Sequence, residues 1–293
     1  MTSARDPRVV LREAGLRPKK SFGQNFLVAE SVALAIAEAC VPETERGRAR
    51  VVEIGAGTGV LTRLLAERAG ALVAIERDRD LVPILNQQIA LPHVRVLEAD
   101  AASLDLAALL GPPDAGSPRV LCGNLPYAIT GQLLRRAVES VDSLERVVFM
   151  VQDEVARRLS AAAGARERGA LSVFVQAAFD LRRVLRVPAG AFHPAPEVTS
   201  AVVELTPLRP PRARETLAFR AVVRAAFQSR RKTLRNAWRA LSGDMPSLEL
   251  AAKRASVDLD ARGETLDVEA FARMATEIGP SLRIQTAPMD GPE

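Results

Sequence analysis

The sequence predicts a doubly wound α/β fold with a Rossmann-like sheet, followed by a smaller all-helical domain. Three observations predict it. Short apolar runs alternate with helical patterns from residue 31 to about residue 151. Several of those runs end on a glycine, an acid or an amide rather than on a hairpin turn. After the proline-rich stretch Pro207-Leu208-Arg209-Pro210-Pro211, strand-like runs cease. Continuous apolar runs suit strands buried on both faces of a parallel sheet, and the alternation with helices supplies the crossovers.

Taken in order, residues 1–30 are basic, and polar around SFGQN. Ser31 to Cys40 has helical spacing, with Val32, Leu34 and Ile36. Val51 to Ile54 is a short strand broken by one acid, Glu53, and a helix begins near Gly59 with Leu61, Leu64 and Leu65 on one face. Ala71 to Ile75 is a strand, Asp80 to Ile89 a helix, and Val94 to Leu97 a strand. Val120 to Cys122, Ile129 to Val138 and Val147 to Val151 continue as strand, helix and strand. Leu171 to Ala178, Arg182 to Val187 and Thr199 to Leu205 are expected to be β-rich, and residues 215–278 to form several short helices. The expected domains are therefore a catalytic one at 1–208, a helical one at 209–280, and a tail at 281–293.

With 293 residues, 48% hydrophobic and 26% charged, the composition is that of a globular protein. No run approaches the roughly 18–20 apolar residues of a membrane span, and the N-terminal residues lack the apolar core of a secretion signal. The two cysteines, Cys40 and Cys122, lie in apolar runs without metal-like spacing, so buried thiols and a cytoplasmic location are expected, with no metal site. The net charge of +5, carried mostly by arginine, favours a nucleic-acid partner, because arginine contacts phosphate bidentately and stacks on bases.

Three segments carry the chemistry. VVEIGAGTG places glycines at Gly55, Gly57 and Gly59; a dinucleotide fingerprint would want the third one position later, at Val60, so a nicotinamide or flavin site is disfavoured. The glycine turn still lets backbone approach a cofactor closely. Glu76, 21 residues after Gly55, ends the next strand and can accept hydrogen bonds from both hydroxyls of a ribose. Asp100 ends the third strand and could accept from an adenine amino group, or cap the turn that begins at Ala101. In GNLPY, Asn124 directly follows a strand, so its amide points into the crevice at the strand ends; Pro126 fixes φ and removes a donor; Tyr127, the one tyrosine of the chain, offers a stacking face.

LRPKKSFGQNFL, VVEIGAGTGVLT, IERDRDL, NLPYAIT, MVQDEVARRL, AFHPAPEVTSAV and FQSRRKTLRN occur in that order between about Leu16 and Trp238. The chain thereby resembles the KsgA/RsmA family of ribosomal RNA adenine dimethyltransferases. The resemblance implies S-adenosylmethionine as methyl donor, and two adjacent adenosines in a hairpin near the 3′ end of 16S rRNA, within the small ribosomal subunit, as substrate. It implies cofactor contacts at Asn25, Leu27, Gly55, Glu76, Asp100 and Asn124, with Asn25 and Leu27 closing over the methionine end. It also implies Asn124, Leu125, Pro126 and Tyr127 around the reacting amine, with Phe192 as a second aromatic wall opposite Tyr127. The family pattern has lysine where Asp153 stands and tyrosine where Arg168 stands, positions expected to touch RNA or to support the β-rich edge. Candidate phosphate contacts are Lys19-Lys20, Arg157-Arg158, Arg182-Arg183, and Arg230 to Lys232 with Arg235.

Two other readings compete. A relative acting on large-subunit rRNA is disfavoured by NLPYAIT and FQSRRKTLRN. A non-catalytic nucleic-acid-binding relative is disfavoured by the intact Glu53, Gly55, Glu76, Asp100 and Asn124. A monomer without membrane association is expected.

Overall fold

The computed structural model describes residues 5–112 and 116–279; the expected tail at 281–293 lies outside the described residues. The elements follow the order α1 (Pro7–Glu13), β1 (Phe26–Leu27), α2 (Glu30–Cys40), β2 (Arg50–Ile54), α3 (Val60–Ala66), β3 (Ala71–Glu76), α4 (Val82–Gln88), β4 (Val94–Glu98) and α5 (Leu106–Leu110). They continue with β5 (Arg119–Asn124), α6 (Thr130–Glu139), β6 (Arg146–Gln152), α7 (Asp153–Leu159), α8 (Ala170–Ala178), β7 (Phe179–Val187), β8 (Phe192–His193) and β9 (Ser200–Pro207). Four helices close the chain: α9 (Leu217–Phe227), α10 (Leu234–Trp238), α11 (Met245–Ala255) and α12 (Val268–Ile278).

Seven strands form one sheet in the order β4-β3-β2-β5-β6-β9-β7, and β1 pairs with β8 in a separate two-stranded ribbon. β4, β3, β2, β5 and β6 run parallel, and β9 is antiparallel to β6. The strand order reverses between β2 and β5. A crevice therefore opens at the carboxyl ends of those two strands, which is where this class of sheet binds ligands. Val51 pairs with both Leu72 and Val120, and these three side chains are buried. Burial on both faces explains why the strands show as unbroken apolar runs. Gly123 has no room for a side chain: a Cβ would lie 2.3 Å from the Ile54 carbonyl oxygen.

The chain divides into two compact units, one holding residues up to Ala156 together with Leu181–Pro207, the other holding Arg157–Asp180 and the residues from Leu208 on. Against the expected first domain of 1–208, the difference lies in residues 157–180, which fall in the second unit. Residues 157–180 belong with the helical unit because α8 buries Val173, Phe174 and Ala177 in that unit's core beside Phe219, Trp238 and Phe271. Phe174 and Phe219 meet edge to face at 6.0 Å, and Trp238 Nε1 donates to the Val222 carbonyl at 2.8 Å. Each such buried side chain contributes about 1.5–3 kcal/mol.

A second correction concerns Leu171 to Ala178, which is helix and not β-rich. Ser172, Val173, Phe174, Val175, Ala177 and Ala178 are all buried. A helix buried nearly all round shows no amphipathic stripe, and its β-branched residues imitate a core strand. The one local signal is polar: Ser172 Oγ accepts from the Gly169 N–H at 3.1 Å, a turn-opening cap.

Candidate active site

The crevice at the ends of β2, β3 and β5 holds a cavity of about 270 Å³, lined by Asn25, Leu27, Gly55, Glu76, Asp100, Asn124, Leu125, Pro126 and Tyr127 among others. Of the ten residues expected at the site, nine line this one cavity; Phe192 does not. All nine belong to the first unit.

Each arrives by local necessity. Gly55, Gly57 and Gly59 adopt φ of 73°, 59° and 86°, a region that glycine occupies without strain. The Gly55 and Ala56 N–H groups donate to the Ile75 carbonyl at 2.9 and 3.1 Å, which turns the chain sharply at the strand end. A Cβ on Gly57 would stand 3.2 Å from the Phe26 ring. Glu76 braces the same turn: its Oε2 accepts from the Gly57 N–H and its Oε1 from the Asp78 N–H, each at 2.7 Å. Each oxygen keeps a lone pair for a ligand. Burial raises the Glu76 pKa, against the pull of the Asp78 and Gly57 N–H groups.

Asp100 caps a turn, one of the two readings the sequence allowed, and stands in the cavity wall. Its Oδ1 caps the following turn by accepting from the Ala102 N–H at 3.0 Å, and its Oδ2 faces Arg77 at 3.4 Å while the residue lines the cavity.

Asn124 ends β5, and its Nδ2 donates to the backbone carbonyl of Asn25 at 3.0 Å. That bond commits the amino half of the amide and leaves Oδ1 to accept. Leu125 N–H donates to the Met150 carbonyl at 3.1 Å, which holds the peptide after Asn124 in register with β6. Tyr127 is fixed by a hydrogen bond between its hydroxyl and Ser200 Oγ at 3.0 Å.

Phe192 requires correction. It lies in β8, pairs with Leu27 of β1, and is 5% exposed within the main core cluster. It is packed in that core and, unlike its partner Leu27, does not line the cavity. A different aromatic, Phe22, lines the cavity, with Lys19 Nζ 5.5 Å and the Arg77 guanidinium 5.3 Å from its ring centre.

Glu53, the acid that interrupts its strand and one of the residues that weigh against a non-catalytic relative, was given no specific role by the sequence. It is 1% exposed, lines the cavity, and its Oε2 has no hydrogen-bond partner. Burial pushes its pKa up to about 8; the Thr62 hydroxyl opposes this and the Glu76 charge adds to it.

The departures from the family pattern are structural. Arg168 is buried, donates through Nη1 to the Ala161 carbonyl at 2.6 Å and to Gln176 Oε1 at 2.7 Å, and so is not an RNA contact. Asp153 is ion-paired to Arg183. Several expected phosphate contacts are engaged within the chain. Arg182 meets Glu204 at 2.7 Å, Arg230 donates to the Arg166 and Arg168 carbonyls at 3.0 and 2.9 Å, and Arg235 holds Glu249 and Asp260 at 2.6 and 3.2 Å. Lys20, Arg231 and Lys232 remain exposed.

A profile described as Ribosomal RNA adenine dimethylase matches residues 15–279. The chain belongs to that family. A protein named Ribosomal RNA small subunit methyltransferase A from Myxococcus xanthus is 41% identical over 288 residues, covering 97% of this chain and 99% of its own length. The protein of the same name from Geobacter sulfurreducens is 41% identical over 269 residues, covering 90% of this chain and 96% of its own. Among solved structures, a dimethyladenosine transferase from Plasmodium falciparum superposes with a TM-score of 0.71 at 22% identity, covering 87% of this chain and 98% of that one. The 23S rRNA methyltransferase ErmE superposes with a TM-score of 0.64 at 26% identity, covering 87% of this chain and 100% of that one.

The family's cofactor is S-adenosylmethionine, and the cavity fits it. The glycine turn, with Gly55 and Gly57 in left-handed conformation, brings bare backbone to the cavity wall. Glu76 offers lone pairs to a ribose, and the unpartnered Glu53 oxygen offers an acceptor deeper in. Among the described residues no cluster could hold a metal ion, and no helix is long and apolar enough to cross a membrane.

Proposed function

We propose that the chain transfers methyl groups from S-adenosylmethionine to the exocyclic amines of two adjacent adenosines, in a hairpin near the 3′ end of 16S rRNA, on small ribosomal subunits. The observation that carries this reading is the oriented Asn124 amide at the mouth of a nucleoside cavity. The cofactor supplies an electrophilic sulfonium methyl. Glu76 holds its ribose, Asp100 its adenine, Gly55 the backbone cradle, and Asn25 and Leu27 the methionine end.

Asn124 Oδ1 and the Leu125 carbonyl accept the two hydrogens of the target amine. Those bonds favour a pyramidal nitrogen whose lone pair is withdrawn from the ring, and they strengthen as charge develops on nitrogen. No strong base is needed, since the proton leaves after methyl transfer. After the first methyl one hydrogen remains, so the same acceptors orient the nitrogen for a second. Tyr127 provides a stacking face, and the target base must be unpaired or turned out of its stack to enter. The enzyme acts as a monomer in the cytoplasm, where ribosomal subunits are assembled.

The test is to incubate the chain with labelled cofactor and either unmodified small or unmodified large subunits, then digest the rRNA to nucleosides. Dimethyladenosine in small-subunit RNA is expected. Label confined to large-subunit RNA would contradict the assignment, and label stopping at monomethyladenosine under excess cofactor would contradict dimethylation alone.

A further inference from the structure

The segment Lys19–Leu27 runs across the cavity as a strap, and its attachment converges on one carboxylate that does not line the cavity. Asp78, with its side chain 3% exposed, lies two residues beyond Glu76. Its Oδ1 accepts from Lys19 Nζ at 2.5 Å and from the Asp80 N–H at 3.1 Å, and its Oδ2 accepts from Gln24 Nε2 at 2.8 Å. Gln24 Oε1 in turn accepts from the Lys19 N–H at 2.7 Å, closing the strap on itself. The next residue, Asn25, presents the carbonyl to which Asn124 Nδ2 donates at 3.0 Å. On the other side, the Asp78 N–H donates to Glu76 Oε1 at 2.7 Å.

We infer that Asp78 is a positioning residue for methyl transfer, which latches the strap to the ribose-side loop through Gln24 and Lys19 and thereby fixes the Asn25 carbonyl that orients the Asn124 amide. The inference rests on the adenine-methylation reading of the same site. Four observations support the latch. Both strap contacts to Asp78 come from Lys19 and Gln24, and the carboxylate is buried and outside the cavity lining, so it faces the strap and not a ligand. Its burial would raise the pKa, yet hydrogen bonds from Lys19, Gln24 and the Asp80 N–H more than offset this and hold it low, as a charged acceptor. The Lys19 ammonium is held up in turn by Asp78 and then by Asp80. The strap's Phe26 ring, packed on Gly57, seats the far end of the same segment on the glycine turn. One carboxylate therefore ties the cofactor end of the cavity to the group that aims the amine acceptor.

The test has two arms on the full chain. In the first, hydrogen–deuterium exchange of residues 19–27 is compared with that of residues 119–124 in wild type, Asp78→Asn, Gln24→Leu and Lys19→Arg. Exchange across the strap should rise about tenfold or more in Asp78→Asn and Gln24→Leu, stay near wild type in Lys19→Arg, and not change across β5. Unchanged strap exchange in both Asp78→Asn and Gln24→Leu would overturn the latch whether or not the chain methylates RNA. Gln24 lies in the strap itself, so that variant serves even if Asp78→Asn folds poorly.

In the second arm, methyl transfer at saturating cofactor and RNA is measured for Gln24→Leu alone and on top of Asn124→Ala. Alone it should lower kcat about tenfold with little change in KM for RNA, the scale of a slightly misplaced catalytic group. On Asn124→Ala it should cost less than about twofold, because the two act in one line. An equal fold-loss in both backgrounds would show that the strap does not act through Asn124. A wild-type chain inactive on either subunit would overturn the methylation reading, and with it the claim of action through Asn124, while the exchange arm still decides the latch.

Discussion

The two ends of the cavity are built differently. At the cofactor end, positions are set by backbone: three glycines in left-handed conformation, a carboxylate bonded to two N–H groups, and strand ends locked by parallel pairing. At the end where the target base enters, Tyr127 is held by one hydroxyl contact, and the second expected aromatic, Phe192, is buried in the core. The cofactor end is thus formed by the fold itself, whereas the base end presents one wall. A site that must accept a ribosomal RNA loop, and accept its adenine again after one methylation, has reason to keep that end open. Asn124 sits at the junction, with its backbone in the sheet and its amide aimed by the strap.

The largest effect should come from that junction. Asn124→Ala should lower turnover by roughly 10²–10³, the loss typical of one preorganised transition-state hydrogen bond, while RNA affinity changes little. Turnover surviving within about threefold would separate the amide from the chemistry. Next, Glu76→Ala should weaken cofactor binding by about 1.5–3 kcal/mol by calorimetry, because it removes a charged acceptor and unbraces the Gly57 turn as well. Unchanged affinity in the folded variant would remove Glu76 from the site.

The comparison sharpens at the aromatics. Tyr127→Leu should reduce methylation by the equivalent of about 1–3 kcal/mol of lost stacking while cofactor affinity holds. Phe192→Leu should instead act on stability, by roughly 1–1.5 kcal/mol, as a volume change in a packed core. Equal loss of turnover from both, with no change in stability, would restore Phe192 as a wall of the base site.

Much of the cofactor end was legible in the sequence, because Gly55, Glu76 and Asn124 each stand at the end of a short, mostly buried strand at the crevice, and Asp100 follows the edge strand β4. The strap was not. Asp78 meets Lys19 and Gln24 across 59 and 54 residues of chain, and nothing local marks those pairings. Phe192 was misplaced because its neighbours AFHPAP do not show which face of a two-residue strand is buried. Leu171 to Ala178 was misread because full burial erases helical periodicity, and the place of residues 157–180 in the helical unit was missed with it. Arg168 was expected to touch RNA or support the β-rich edge; its burial depends on partners, Ala161 and Gln176, that only the fold brings together.

The smallest effect concerns Glu53. Its carboxyl keeps a proton up to about pH 8 in the folded chain, whereas the ordinary value is 4.5. Between those values the folded chain binds the proton and the unfolded chain does not, so stability falls as pH rises through that window. Glu53→Gln should flatten this part of the melting-temperature profile of the cofactor-free chain. A wild-type profile that is already flat would show that Glu53 is ionised in the fold.

The most direct test of the whole account is mass mapping of small-subunit rRNA from cells that lack this chain, complemented with wild type or with Asn124→Ala. The account predicts two adjacent adenosines near the 3′ end without methyl groups in the deletion, dimethylation of both restored by wild type, and no restoration by Asn124→Ala. Methylation of those adenosines that persists in the deletion, or that returns with Asn124→Ala, would contradict it.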